Sequence, residues 1–395
     1  KKGLTGAALW YDAQMHNSER LTLAFVQSAA NAGADVANYV EADRFVMDGN
    51  KVTGVKAKDN LTGKEFDIKA KLVINTAGPW IKNVIKGLNN SVKVSFCKAM
   101  NIIVKKQLFK KYAVGLTLRN KNFAGKKFGN LFITPWRNYS IIGVYFAPFD
   151  GNPNDLAIDK DEVQEFINYI NAVYPQADLK KEDVCFVHKG ILPAKDIDQN
   201  NQTMLLKSYS IYDHKKDGVE GIVTIVGVKY TTARDISQKI IDFTLKKLGK
   251  EMQKSKSSFT PVYGGDIKRF EVFLEYAKEK SGSFDAETIK HLVYNYGTSY
   301  SEVLRLCEEN TELREQLCER SEVIKAEIVY AVREEMAQKL ADVVLRRTEL
   351  GSAGYPGDEC LISCAGVMAK ELRWSEHKIR EELNEVRGVY SKLTG

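Results

Sequence analysis

Gly221-Ile222-Val223-Thr224-Ile225-Val226-Gly227-Val228-Lys229-Tyr230-Thr231-Thr232-Ala233-Arg234 is the stretch on which the fold turns. Its first half is β-branched and reads as a fully buried strand. The run breaks at Gly227 and passes into a helix that carries Ile236, Ile240, Ile241, Phe243 and Leu245 and ends at Gly249. Thr231 or Thr232 is the candidate helix cap. A helix N-terminus gathers unpaired backbone N–H groups and a partial positive charge, and Lys229 adds a full one. Such a turn can hold an electron-rich edge: a phosphate, a carboxylate or a reduced flavin ring. Spacing alone favours the plainer reading, an ordinary strand-to-helix turn.

A second segment changes that balance. Lys71-Leu72-Val73-Ile74 is another short apolar strand, followed by Asn75-Thr76-Ala77-Gly78-Pro79-Trp80-Ile81. Ala77 and Gly78 let the backbone approach a ligand closely, and Pro79 suits the first turn of a helix. Together the two segments resemble the FAD-dependent glycerol-3-phosphate dehydrogenases, within the amino-acid-oxidase-like flavoprotein superfamily. In that family an Asn-(Ala/Thr)-x-Gly-Pro-Trp segment and a Gly-Gly-Lys-x-Thr-Thr-x-Arg segment wrap the flavin nucleotide. The resemblance takes in Tyr11-Asp12-Ala13-Gln14, Arg20-Leu21 and Ala37-Asn38-Tyr39-Val40-Glu41. It reaches Glu327 to Met336 and Arg346-Arg347-Thr348, and so spans nearly the whole chain.

The fold class implied is α/β plus all-α. An incomplete FAD/NAD(P)-binding-like flavoprotein domain is expected at residues 1–90 and again at 211–258. A substrate domain built on an antiparallel sheet is expected at 91–210, and a C-terminal helical domain at 259–395. The G-x-G-x-x-G turn that normally opens such a flavoprotein is not in the sequence. Lys1 corresponds to a point well inside the family's pattern, so the expectation is that about a hundred or more residues precede it in the family.

Within the first section Ser18 is the candidate cap of a helix stopping at Gly33. Val36 to Val40, Phe45-Val46, Val52 to Ala57 and Phe66 to Ile68 read as the short strands of a β-meander. The backbone after the strand at 36–40 commonly lies beside adenine in this fold, which makes Glu41 and Ala42 candidates, against a plain sheet edge. In the second section Ile102 to Val104, Leu131 to Ile133 and Ile141 to Phe146 read as antiparallel strands. Asp159 to Glu162 is a capping box before a helix whose apolar face is Val163, Phe166, Ile167 and Ile170. Further on, 270–280, 285–295, 299–309 and 322–346 have helical spacing, and Ile379, Leu383, Val386 and Tyr390 lie on a last amphipathic helix.

Composition fits a globular enzyme: 395 residues, 44% apolar and 28% charged. The net charge of +7 is diffuse. It favours anionic substrates or an anionic lipid surface and does not argue for nucleic acid. No window approaches the roughly 18–20 apolar residues of a membrane span, and no signal-peptide pattern opens the chain. A cytoplasmic setting is the expectation. The six cysteines form no C-x-x-C pair and read as reduced thiols; Cys360 and Cys364, four apart, are a poor metal pair without partners. The resemblance implies peripheral contact with the inner face of the cell membrane and homodimer contacts for the C-terminal region. Exposed charges there, Arg346-Arg347 among them, read first as a solvated face.

Oxidising a secondary alcohol through flavin needs the carbinol C–H against flavin N5, an acceptor for the hydroxyl proton, and stabilisation of developing charge. The cofactor-binding residues implied are Glu41, Ala42, Ala77, Gly78, Trp80, Gly227, Lys229, Tyr230, Thr231 and Thr232. Lys229 is the first candidate beside the ring and, with Asn101, a catalytic candidate; Lys207, Tyr209, Tyr145 and Leu192 are the substrate-binding candidates. The substrate side departs from the family. Asn101 replaces a histidine usually found before Ile-Val, and Val144-Tyr145 stand where the family has a Gly-Thr-Thr-Asp turn. Leu192 stands in place of a phosphate-clamping arginine, and a second such arginine corresponds to Lys207, beside Ser208 and Tyr209. Lysine keeps the charge without the guanidinium fork, and leucine keeps neither. Neither His188 nor His214 reads as a proton relay. The functional expectation is oxidation of sn-glycerol 3-phosphate to dihydroxyacetone phosphate, with electrons passing through FAD to a quinone. A related flavin enzyme for another hydroxylated or phosphorylated substrate, and a non-catalytic fragment, are the alternatives.

Overall fold

A computed structural model describes residues 6–89, 91–117, 122–123, 126–127, 129–195 and 204–394. The chain divides into two compact units, one of residues up to Asp35 with Val262–Ser391, the other beginning at Val36 and running to Pro261.

The first helix, α1 (Ser18–Asn31), clusters with the C-terminal helices and not with the sheets. Its cap is Asn17, whose side chain accepts the Arg20 N–H at 3.2 Å, one residue before the Ser18 expected. Asn17 wins because its carboxamide also donates to Asn295 at 3.2 Å inside the same unit.

The second unit opens with an antiparallel meander, β1 (Val40–Asp48), β2 (Lys51–Asp59) and β3 (Glu65–Lys69). The strand expected at 36–40 begins only at Val40, so Glu41 and Ala42 lie inside β1, paired with Lys58 and Ala57. Tyr39 takes φ +57°, which turns the chain out of extended geometry just before the ladder starts. Next comes β4 (Val73–Asn75), then a 3-10 turn at Gly78–Trp80 and a single helical turn, α2 (Ile81–Val84).

An antiparallel sheet follows, built from β5 (Ser95–Val104), β6 (Val114–Leu116), β9 (Leu131–Trp136), β10 (Tyr139–Phe149), β11 (Val184–Lys195) and β12 (Met204–Leu205). Its order is β12-β11-β5-β10-β9-β6. A short ribbon of β7 (Asn122–Phe123) and β8 (Lys126–Lys127) sits in the connection before β9. One face is covered by α3 (Lys160–Val173), as its capping box and spacing predict. Glu162 accepts the Asp159 N–H at 3.0 Å, and Val163, Phe166, Ile167 and Ile170 are buried against Met100, Ile102, Ile133 and Ile142. The chain then makes β13 (Ser210–Asp213), β14 (Ile222–Val226) and α4 (Ala233–Lys247).

In the helical unit α5 (Phe270–Lys280), α6 (Ala286–Tyr296) and α7 (Tyr300–Glu309) match their expected spans. The helix expected at 322–346 does not run through. It is α8 (Lys325–Arg333), a break, α9 (Leu340–Asp342) and a wider π turn at Val343–Arg347. At the break Met336 is left-handed, with φ +57°. The reason is ionic: Glu335 is fully buried and both its oxygens meet Arg20 Nη1, at 2.6 and 2.7 Å. Arg347 Nε and Nη2 donate to the Glu335 carbonyl at 3.2 and 3.0 Å, capturing an acceptor that a continuing helix would use. Last come α10 (Asp358–Leu372), not read from the sequence, and α11 (Glu376–Thr394), which buries Leu383, Val386 and Tyr390.

The cysteines are not all reduced. A bridge between Gln316 and Ile324 closes a hairpin that carries Cys318, which is disulfide-bonded to Cys360 of the first turn of α10 across a Cα–Cα distance of 5.3 Å. The two are 42 residues apart, which is why spacing along the chain gave no signal. The bond removes Cys360 from any thiolate pair with Cys364.

Candidate active site

The two glycine-bearing bends lie side by side. β14 is the centre of a three-stranded sheet ordered β13-β14-β4. It pairs with β4 in parallel register, Ile222 with Val73, Val223 with Ile74 and Thr224 with Asn75. Both strands therefore end at the same edge, where one gives way to Ala77-Gly78 and the other to Gly227. β13 is antiparallel, with Ser210 opposite Val226, so the incoming Tyr209 stands level with Gly227. One face of this sheet, Val223 and Ile225, packs on Ile236 and Ile240 of α4. The other, Ile222 and Val226, packs with Ile81, Ile85 and Phe96. Burial stops abruptly at the bend: Ile222 to Val226 are buried, while Gly227, Lys229, Tyr230, Thr231 and Thr232 are exposed.

Each bend presents room. Gly78 has φ +55°, a conformation that favours glycine. At Gly227 the backbone makes no such demand, and a Cβ there would meet nothing within 4 Å. Neither packing nor backbone geometry explains a glycine at 227; a ligand laid against the main chain would. The start of α4 is also left open. Thr232 occupies the cap position, but its hydroxyl donates to the Lys229 carbonyl at 2.9 Å instead of capping the helix, and Thr231 does not cap it either. The helix start thus has no side-chain cap, although the Thr232 and Ala233 N–H groups already bond the Lys229 and Tyr230 carbonyls. Among the described residues no carboxylate pairs with Lys229 or Lys207. Trp80, 41% exposed, donates Nε1 to Asn154 at 2.8 Å and so ties its bend to the loop after β10. Tyr209 is held by Lys239, whose Nζ lies 5.2 Å from the ring centroid.

The large sheet brings other residues together. Alternation along β5 puts Lys98, Met100, Ile102 and Val104 on the α3 face and Cys97, Ala99, Asn101 and Ile103 on the other. Asn101 stands opposite Gly143 on β10 and opposite His188 on β11, so the three share the face turned from α3. A Cβ on Gly143 would collide with Asn101 Oδ1, which crosses over it. His188 meets Trp136 and Phe186 edge-on, with centroids 5.9 and 5.5 Å away. Leu192, opposite Cys97, is on the same face. The Leu206 N–H donates to the Pro193 carbonyl at 3.3 Å, which sets Lys207 near that end of β11. Phe96, Ile191 and Phe149, from the same end of the sheet, share one core with Val226 just before the Gly227 bend.

Two sequence readings change here. Tyr145 is not on the Asn101 face. It is 3% exposed in the α3 core, with its hydroxyl 3.3 Å from Glu165 and 3.5 Å from Glu162. Burial and those two carboxylates hold its phenol well above the usual range. An irregularity in register at 143–145 carries it to that side, which no alternation count reveals. His188, read as unrelated, faces Asn101 across a strand pair. The signal that would have found it is register, not position.

The comparisons follow this geometry. The family model described as FAD dependent oxidoreductase matches residues 1–207, just over half of the chain. The model of the C-terminal domain of alpha-glycerophosphate oxidase matches residues 255–379. A glycerol-3-phosphate dehydrogenase of Synechocystis sp. is 28% identical over 98% of this chain and 71% of its own length. The mitochondrial glycerol-3-phosphate dehydrogenase of Macaca fascicularis is 27% identical over 97% of this chain and 53% of its own. The aerobic glycerol-3-phosphate dehydrogenase of Staphylococcus aureus is 27% identical over 88% and 62%. The chain thus spans between about half and seven tenths of the length of these curated relatives. A solved glycerol-3-phosphate dehydrogenase from Bacillus halodurans, complexed with FAD, shares the fold with a TM-score of 0.80 at 24% identity, over 95% of this chain and 73% of that one. With matches of this extent at both ends, the chain belongs to the FAD-dependent oxidoreductases and, among them, to the glycerol-3-phosphate dehydrogenase family.

Proposed function

We propose that the open edge of the β13-β14-β4 sheet is the flavin seat of an enzyme that oxidises sn-glycerol 3-phosphate to dihydroxyacetone phosphate. The parallel pairing of β4 with β14 carries this reading, because it delivers Ala77-Gly78 and Gly227 to one place. Bound there, FAD supplies the two-electron acceptor for the alcohol's hydride. The open space at Gly227, the start of α4 without a side-chain cap, and Lys229 without a carboxylate partner among the described residues fit a planar ring with an electron-rich edge. Lys229 opposes negative charge developing on that edge, and backbone N–H groups of the first turn donate to it. Thr231 contributes main chain, while the Thr232 N–H and hydroxyl both bond the Lys229 carbonyl and hold the turn.

On the substrate side His188 and Asn101 share one face at one register. Asn101 orients the substrate hydroxyl, and His188 is the group that takes its proton. Lys207 supplies the counter-charge for a phosphate. Leu192 lines the same face and adds only apolar surface. The electron acceptor proposed is a quinone, met by a homodimer at a membrane surface; no helix among the described residues is long and apolar enough to cross one.

A second reading is favoured by a specific observation: Leu192 and Lys207 together offer one ammonium where a phosphate is best held by guanidinium forks. On that reading the substrate is another hydroxylated anion. The experiment is anaerobic addition of sn-glycerol 3-phosphate to the full-length protein. The first reading predicts that the flavin's visible absorption bleaches. Colour that persists favours the second, and a colourless full-length protein contradicts both.

A further inference from the structure

A buried polar chain runs through the apolar face of the small sheet. On that face Thr224 is fully buried and Asn75 is 5% exposed, flanked by Ile222, Val226 and Val73. Polar groups in such a place are held by partners. Asn75 Oδ1 accepts the Ala77 N–H at 3.1 Å, within the bend itself. Its carboxamide nitrogen then donates to Thr224 Oγ1 at 3.3 Å. Thr224 Oγ1 lies 2.8 Å from Nε2 of His214, a fully buried side chain. His214 Nδ1 has no hydrogen-bond partner among the described residues; Asp217 Oδ2, 3.8 Å away, is too far to accept a hydrogen bond but its charge favours the ring proton on Nδ1, and in that tautomer Nε2 accepts from the Thr224 hydroxyl. Burial depresses the His214 pKa, partly offset by Asp217 and Asp213, so the ring is neutral at neutral pH. Every dipole in the chain then points one way.

We infer that His214 is a positioning residue for the flavin seat: through Thr224 it fixes the orientation of the Asn75 carboxamide, and so the main chain of the Ala77-Gly78 bend. The inference rests on the flavin reading for its consequence, but the relay exists in the protein without flavin. With the ring acceptor gone, the Thr224 hydroxyl loses its partner and the Asn75 carboxamide can turn over. It would then present N–H to N–H at Ala77, and the bend would open. Removing the outer hydrogen-bond partners of metal ligands typically costs about 10–100-fold in affinity, and the same scale is expected for this relay.

The test uses the full-length protein and three variants. His214→Phe removes the acceptor while filling the space, Thr224→Val cuts the relay at its middle with an isosteric side chain, and His214→Gln restores an acceptor near the Nε2 position. Two quantities are read: hydrogen exchange of the Ala77 amide without flavin, with Ile225 as the internal control, and the FAD dissociation constant by fluorescence. The expected result is about tenfold or faster exchange at Ala77 and about 10–100-fold weaker FAD binding in the first two variants. Ile225 exchange should be unchanged, and His214→Gln should return both readings to within a few-fold of wild type. Should His214→Phe fail to fold, Thr224→Val carries the same prediction. Unchanged Ala77 exchange overturns the relay. Faster exchange with unaltered FAD affinity overturns the positioning role while leaving the flavin reading intact. A wild type that takes up no FAD overturns the flavin reading itself.

Discussion

At Leu192 the proposed phosphate site carries an apolar side chain. It sits on the Asn101 face of β11, at the end near Lys207, where an arginine would reach the same space. A charged hydrogen bond contributes about 1.5–3 kcal/mol, so Leu192→Arg should lower KM for sn-glycerol 3-phosphate by about tenfold or more. An unchanged or raised KM would mean that no phosphate lies there. His188 gives the complementary case. His188→Gln keeps a polar side chain but no base, and kcat should fall about 10²–10⁴-fold with KM little altered. Full turnover in that variant would return the proton acceptor to some other group. The sequence made Leu192 visible as an anomaly because it interrupts a motif. His188 stayed hidden because its partner is in the next strand, and only register joins them.

The elements were legible where their determinants are local. Helix α3 announces itself through Asp159, Glu162 and an apolar stripe, all within one helix, and it forms as read. The bend at Gly227 is similarly written in adjacent residues. The break after α8 is not, because what causes it is Arg20, 315 residues away from Glu335. A helical pattern of Val329, Val332, Met336 and Leu340 continues through the break, yet a buried carboxylate paired with Arg20 and a carbonyl held by Arg347 outrank periodicity. This predicts a large effect from a remote change. Arg20→Leu leaves Glu335 buried without its bidentate partner, and should cost about 3–5 kcal/mol in urea unfolding of the helical unit. A loss of under about 1 kcal/mol would show that the pair is replaceable and that the break has another origin. The disulfide between Cys318 and Cys360 follows the same logic, since a hairpin joins what spacing keeps apart.

At the scale of the whole molecule, the sheet unit carries every residue assigned to flavin or substrate, and the helical unit carries an ionic core of its own. In that core His291 lies 3.1 Å from both oxygens of Glu327. Burial opposes charging His291, but Glu327 outweighs it and its pKa rises. The family assignment needed little more than two motifs and the extent of the match. The arrangement of the site needed the topology: strands 147 residues apart, from Asn75 to Ile222, become neighbours only once β4 and β14 pair. Substrate identity is the part written least plainly, since Asn101 and Leu192 share a face whose residues do not by themselves define one substrate. The most direct measurement is an X-ray structure of the full-length protein grown with FAD. The isoalloxazine edge is expected within hydrogen-bonding distance of the main chain just after Gly227, with Ala77-Gly78 against the same cofactor. Flavin density elsewhere, with the space beside Gly227 filled by protein side chains, would contradict it.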